Sequence, residues 1–500
     1  MNPLTQQIPS FWFLGFSGHR NLAKPKEINI AIAQELIILE QMISGQLIGI
    51  SSCADGSDKI FLKDCKKQKI PFRIYLPLPE ENFKQDFSLE GWRETETLIA
   101  HAVDVHRGVG IPDRQSAYLE CGMEVVDNSD IVMVVWDGNS SAGKGGTGDV
   151  VEYARSLKKP LLWIHSESLS VLRENFPPEG FLDSQREALV ALFKKNLGRE
   201  MPLPPRVTVE QLQRDADDYA AHAAPQIRGA AAIFVILALV LVICGTLSGV
   251  FSSSSLRFGK TVGDVLDVIN LLLFLFIFTA NVSRILKNRQ TNWLLCRFIA
   301  EFSRSTLATW DIPSQIAPIP KEAAPDFQHM IRSIAFSKII DPAVSILSLH
   351  EVALRYVEER IRPQKQYYLE KSRGLAPQEK RNRIIFWTAT ILGGVFGLLV
   401  LMTSILQRST GVQCDMLLSL LRAGVSILPT IATSVLSITF IHEIGRRLAH
   451  NQRMLELLDQ FESQALHCTT FESLARIAER TERSLMGELL DWYYYNRYGR

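Results

Sequence analysis

The 500-residue chain lacks the features that mark disulfide scaffolds and zinc modules. Its seven cysteines (Cys53, Cys65, Cys121, Cys244, Cys296, Cys414 and Cys468) are scattered, their number is odd and no CxxC pair occurs. Neither a disulfide framework nor a metal site is expected. Charge excess is missing too. Lys plus Arg is 54 against 53 Asp plus Glu, a net of +1, so no nucleic-acid partner is expected. The N-terminus, MNPLTQQIPSFWFLGFSGHR, has no basic n-region and too short an apolar run for a signal peptide. The N-terminal part is therefore expected in the cytoplasm. A chain of this length calls for two or three domains.

What the chain has in ordinary amount, it places unevenly. The hydrophobic fraction is 47%, but residues 229–251 and 384–406 carry no charge at all. As helices rising ~1.5 Å per residue, both are long enough for a hydrocarbon core of about 30 Å. Residues 265–283, with Asp267 near one end, and 423–441, interrupted by Pro429, follow after short connectors. A helix that enters a bilayer must return or strand its tail, so two hairpins are expected. Arg228, Arg284, Lys287 and Arg289 flank the first hairpin on one side, and Lys380, Arg381, Arg383, Arg446 and Arg447 flank the second. The positive-inside rule puts those ends, the N-terminal head and the C-terminus in the cytoplasm.

The hairpins also look duplicated. Ala224-Pro225-Gln226 and Ile233-Phe234 recur as Ala376-Pro377-Gln378 and Ile385-Phe386, both at an offset of 152. The expected organisation is a head over 1–170, a linker over 171–206 and a first hairpin unit over 207–307. A connecting segment follows over 308–344, then a second hairpin unit with a helical extension over 345–500. Residues 207–227 and 345–371 read as helices entering the spans, and 442–498 as a long polar helix or a helix pair. Its apolar stripe (Met454, Leu455, Leu458, Phe461, Leu466) needs a partner, in this chain or another. In the last span Ser426, Thr430, Thr433 or Ser434, and Ser437 form a hydroxyl stripe, suited to a pore lining or to close helix packing.

The first 200 residues alternate apolar runs with helical stretches. FWFLGF (11–16), LIGISS (47–52), FRIYLPL (72–78), IVMVVWD (131–137) and PLLWIH (160–165) read as strands, with helices over 26–44 and 147–157. This rhythm predicts a parallel sheet covered on both faces. The fold class is thus an α/β Rossmann-like N-terminal domain and a C-terminal all-α membrane domain with about four transmembrane helices in two hairpins.

Ligands of such sheets sit beyond the carboxyl ends of the strands. Ser17, Gly18, His19 and Arg20 follow the first strand, and Ala54, Asp55, Gly56 and Asp58 follow the second. Arg20 suits a phosphate. Asp55 or Asp58 suits a ribose hydroxyl or a helix cap. The strongest motif is Gly143-Lys144-Gly145-Gly146-Thr147-Gly148-Asp149-Val150-Val151-Glu152, at a strand end that opens a helix. Glycines bring backbone N–H groups close to an anion and the helix end adds a positive field, with Thr147 as a cap or a phosphate donor.

GFSGHR, ADGSD and GKGGTGDVVE, over about residues 10–165, resemble the SLOG superfamily of DprA/Smf- and LOG-type Rossmannoid domains. LOG-type phosphoribohydrolases carry GGxGTxxE, whose glycines hold phosphate and whose Glu acts in N-glycosidic cleavage. Gly145, Gly146, Gly148 and Glu152 match that pattern, while Asp149 stands where the family has Thr. Arg114 is the counterpart of the family's helix arginine. The hairpins with trailing helices resemble SLATT-type membrane units, found beside nucleotide-sensing modules in bacterial conflict systems. The resemblance implies a homo-oligomeric nucleotide sensor in the bacterial inner membrane, with a nucleotide-derived ligand and the lipid bilayer as partners and no certain cofactor. The other readings are a membrane-anchored nucleotide N-glycosidase using Glu152 and Arg114, and a non-catalytic scaffold.

Overall fold

A computed structural model describes residues 9–43, 45–108, 113–141, 143, 145–176, 204–252, 257–281, 284–313, 328–341, 347–410, 415–441 and 443–498. Lys144, most of the expected linker (177–203) and the Pro-rich stretch 314–327 lie outside the described residues, as do the side chains of 224–234 and 276–291 and of the aromatic tail from 491 onward. The chain forms two compact units, Met1–Asp215 with Ile299–Ile346, and Ala216–Phe298 with Leu347–Arg500.

The first unit is built on a seven-stranded sheet in the order β4-β3-β2-β1-β5-β6-β7. Its strands are β1 (Phe11–Gly18), β2 (Gln46–Ser51), β3 (Phe72–Leu76), β4 (Asp104–Arg107), β5 (Ile131–Trp136), β6 (Leu161–His165) and β7 (Val171–Glu174). All neighbours are parallel except β6 and β7. Between them run α1 (Pro25–Met42), α2 (Ser57–Gln68), α3 (Glu80–Phe83), α4 (Leu89–His101), α5 (Arg114–Asp127) and α6 (Thr147–Ser156). Side chains on a strand alternate between faces, and β1 is apolar on both. Trp12, Leu14 and Phe16 join a core with α1, α2 and α4. Phe11 and Phe13 join one on the opposite face with Cys121 and Val125 of α5. Both faces are covered, so the central strands read as unbroken apolar runs.

The opposite face has a remote contributor. Residues 328–341 carry α10 (Gln328–Ile339), which lies within the segment expected to connect the two hairpins. Phe336 packs edge-on against Phe11 and Phe13, with centroids 5.1 and 5.3 Å away. The Phe11 N–H donates to Ser333 Oγ (3.0 Å), and Ser333 Oγ donates to Phe11 O (3.3 Å). Trp12 stacks on His329 at 4.0 Å. Arg332 and His329 pair with the buried carboxylate of Asp130, which also accepts from the Phe13 N–H (3.0 Å). Burial alone would raise the Asp130 pKa, but the Arg332 charge, the His329 ring and the hydrogen bonds hold it well below the usual carboxylate range. A sheet strand thus depends on residues more than 300 positions away.

The second unit is helical. α7 (Pro205–Ser252) and α9 (Arg284–Ala308) each contribute residues to both units, and α8 (Arg257–Asn281) lies between them in sequence. Within the second unit Trp293 of α9 donates from Nε1 to Ala220 O of α7 (3.1 Å), and Ser248 of α7 to Gly263 O of α8 (3.2 Å). α11 (Leu349–Tyr356) runs through a π-helical turn (Val357–Ile361) into α12 (Arg362–Thr410). α13 (Asp415–Ile441) packs back along α12, and Phe396 fills the space beside Gly424. The expected extension over 442–498 is a helix pair, α14 (Ile444–Leu466) and α15 (Phe471–Tyr498), and Thr470 caps the second through the Ser473 N–H (3.1 Å). Its apolar stripe finds partners within the unit. Met454, Leu458 and Phe461 are buried, and so are Leu474, Ala478, Tyr356 and Ile361. Arg360, in the π turn, grips Glu482 through Nε (3.0 Å) and NH2 (2.6 Å), and Tyr356 OH donates to the same carboxylate (2.9 Å).

Four spans were expected, and the described residues give a smaller number. Two helices are long and apolar enough to cross a membrane, Leu349–Ser409 and Leu417–Leu466, which contain the expected spans 384–406 and 423–441. In the first hairpin the described stretch Val235–Phe251 is apolar but shorter than a span. The hydroxyl stripe on α13 bonds to its own helix: Thr430 Oγ1 donates to Ser426 O (2.8 Å), Thr433 to Pro429 O (3.0 Å) and Ser437 to Thr433 O (2.8 Å). Its polarity is satisfied without a neighbour.

Candidate functional site at the reversal of strand order

Strand order reverses at β1, with β2 on one side and β5 on the other. Loops leaving two such strands turn to opposite faces and open a crevice beyond their carboxyl ends. Ser17 and Gly18 close β1 there, beside Val134 and Val135 of β5.

His19 ties the two strand ends together. Its N–H donates to Val135 O (3.1 Å), and its Nε2 accepts from the Asp137 N–H (3.0 Å). Nε2 also lies 3.1 Å from Asp137 Oδ1. Hydrogen bonds from the backbone and side chain of Asn139, with help from His19, pull Asp137 down to about 2. The His19 carbonyl accepts from both the N–H (3.1 Å) and the hydroxyl (3.0 Å) of Ser57, fastening the first turn of α2 to the loop. Gly56 precedes that turn at φ +92°, where a Cβ would lie 2.3 Å from Arg20 O. Only glycine fits both the backbone angle and the space.

The two carboxylates after β2 separate in role. Asp58 is buried and accepts from the Gly18 N–H (3.2 Å), Ser51 Oγ (3.0 Å) and Ser52 Oγ (2.7 Å). Burial pushes it up to about 6, against those bonds and the charge of Arg20. It stitches β1 to β2 and faces no solvent. Asp55 is exposed and pairs with Lys59 (2.9 Å).

Arg20 is exposed, its guanidinium 4.8 Å over the ring of Tyr118 on α5. Tyr118 OH donates to Asp86, and burial and that carboxylate raise the pKa of the phenol. Arg114 pairs with the same Asp86 and donates to Asn82 O (3.1 Å). The positive charge of Arg114 is therefore already answered within the fold, whereas Arg20 is exposed and stacked over the Tyr118 ring.

The glycine turn folds against α5. Gly145 has φ +84°, and a Cβ on it would meet Leu119 N at 2.8 Å and Tyr118 Cβ at 2.9 Å. Its N–H donates to Asp149 Oδ2 (2.8 Å), and the Asp149 N–H donates to Ser141 Oγ (3.0 Å). Asp149 therefore occupies one amide of the turn with its own carboxylate. Gly146 precedes α6 without a side-chain cap, the buried Thr147 opens the helix, and Gly148 packs under Ser141. Glu152 lies one turn beyond Gly148, exposed and with no hydrogen-bond or ion-pair partner among the described residues. General acids are usually enclosed by apolar or charged neighbours, and Glu152 has no such enclosure.

Ser17 to Arg20 and Asp55 to Ser57 are thus in direct contact, and Tyr118 lies against both Arg20 and Gly145. Tyr118, Ser141 and Asp86 sit in no glycine-rich or strand-end motif of recognisable spacing, and Asp137, the last residue of the 131–137 run, carries no motif that marks it as a site residue. No group of three or more His, Cys, Asp or Glu is placed to hold a metal among the described residues.

No protein-family model and no curated protein matches the chain. The class defined by the coordinates is a Rossmann-like α/β head joined to a helical region with two apolar helices, consistent with association with a membrane.

Proposed function

We propose that the chain is a membrane-embedded nucleotide-sensing effector of the SLOG and SLATT type. The head binds a nucleotide or nucleotide-derived ligand, and binding changes the state of the helices in the bilayer. The observation that carries this reading is the reversal of strand order at β1, with the exposed Arg20 over the Tyr118 ring beside it and a glycine turn opening α6. A ligand drives such a change only if it binds the two membrane states with different affinity. The finer features belong to the same proposal: four spans in two hairpins, a homo-oligomer in the bacterial inner membrane, head and C-terminus cytoplasmic, and a role in antiphage defence. The ligand contacts are assigned to Ser17, Gly18, His19, Arg20, Asp55, Gly56, Gly145, Gly146, Thr147 and Gly148. Exposure of Glu152 and the pairing of Arg114 with Asp86 favour binding over N-glycosidic cleavage.

The test is to incubate the full chain in detergent with NAD, ADP-ribose, AMP and cyclic oligonucleotides, following binding and breakdown by mass spectrometry. Retention of one intact ligand is the expected result. Release of free base, abolished by Glu152→Gln, would replace the sensor with an N-glycosidase. A folded chain that binds none of them would leave the scaffold.

A further inference from the structure

We infer that a basic collar at one end of the α12–α13 hairpin binds the headgroups of anionic phospholipids. Lys380, Arg381 and Arg383 immediately precede the apolar stretch of α12, and Arg446 and Arg447 lie in the first turn of α14, just after α13. Lys380, Arg381, Arg383 and Arg446 are exposed, and Arg447 is half-buried. Asn382 Nδ2 donates to Thr439 Oγ1 (3.1 Å), and the backbone of Gly445 comes beside the Glu379 carboxylate. The two basic stretches therefore sit at one level of the hairpin. The carboxylates described in the same stretches are Glu379 and Glu443, the latter paired with Arg446 (3.5 Å). Five cations against two carboxylates leave the collar positive.

Directly beyond the collar the surface becomes apolar. Ile384 is 53% exposed, Trp387 56% and Phe440 72%. An exposed Trp and Phe at the boundary between a basic ring and a bare apolar hairpin match the order of layers in a bilayer, from headgroup phosphate to acyl chain. Each cation held at such a surface favours an anionic over a zwitterionic lipid by about fivefold at low salt. The inference rests on the membrane-spanning reading of α12 and α13, and adds that the leaflet at the collar is selected for negative charge.

The full chain, purified in a zwitterionic detergent, is offered equal amounts of phosphatidylglycerol and phosphatidylcholine, and retained lipid is counted by native mass spectrometry. The wild type retains phosphatidylglycerol at least about tenfold over phosphatidylcholine. The variant K380Q/R381Q/R383Q/R446Q/R447Q loses the preference while keeping its elution volume and helicity. The charge-keeping variant R381K/R383K/R446K/R447K retains it. Equal retention of the two lipids by the wild type would overturn the inference and leave the membrane reading standing. So would a preference that survives in the collar variant and disappears in R408Q/R422Q. Recovery of the chain from cells in the aqueous phase, without detergent, would overturn the membrane reading and the collar together.

Discussion

The head and the α12–α13 hairpin are both rich in leucine, isoleucine and valine, but they dispose of them in opposite ways. In β5, Val132, Met133, Val134 and Val135 are all at 0% exposure, sealed under α-helices on both faces. On α12, Leu398 is 63% and Met402 67% exposed among the described residues. Water tolerates scattered apolar side chains but not a continuous helical surface of them. The head buries its apolar side chains, and the hairpin leaves an apolar surface consistent with association with a membrane. The same contrast appears in their hydrogen bonds: polar groups of the head reach across elements, whereas the hydroxyls of α13 turn back to their own backbone.

The contrast breaks most severely where the head relies on its distant helix. Arg332→Ala leaves the Asp130 carboxylate buried without its main cation, which costs about 3–5 kcal/mol. Urea pulse proteolysis of the full chain in detergent micelles reports it as a lowered midpoint for cleavage within the head. The same dependence predicts that residues 1–200 alone, lacking Arg332, Ser333 and Phe336, are less stable than the head in the full chain.

A matched pair of leucine truncations tests the contrast directly. Leu62→Ala, at a fully buried site in α2, costs about 2–5 kcal/mol through lost burial and the cavity left behind. Leu398→Ala, on the bare face of α12, changes stability by less than about 0.5 kcal/mol in the same assay. Equal losses would mean that Leu398 is covered by protein.

A further expected effect is one of pH. The folded-state pKa of Asp58, at about 6, is raised above its unfolded value, so the neutral form is the one the fold prefers. The contribution is fully present below about pH 4 and is lost as pH rises through about 6, a change of roughly 2–3 kcal/mol. Asp58→Asn should flatten the stability profile over that window. An unchanged profile would show that Asp58 does not titrate there.

Much of the α/β head was legible because both faces of its sheet are covered, which writes β1, β2, β3, β5 and β6 as apolar runs. The edge strands β4 (DVHR) and β7 (VLRE) were not, because half-exposed edges carry polar residues that read as loop. α10 was invisible for a different reason: its docking rests on Ser333, Arg332 and Phe336, whose partners lie some 200 to 320 residues earlier and leave no local pattern. At the candidate site the glycines were legible and their use was only partly so. Asp149 stands where the resembling family has Thr, and its carboxylate accepts from the Gly145 N–H. Asp55 and Asp58 looked interchangeable until burial separated them.

Hydrogen–deuterium exchange of the full chain in detergent, with and without the nucleotide retained from the panel, tests the central claim most directly. Ligand-dependent protection should concentrate at residues 17–20, 55–57 and 145–149, and should disappear in Arg20→Ala, whose fold is otherwise unchanged. Protection confined to other segments, or none at saturating ligand, would contradict a nucleotide site at the β1 reversal.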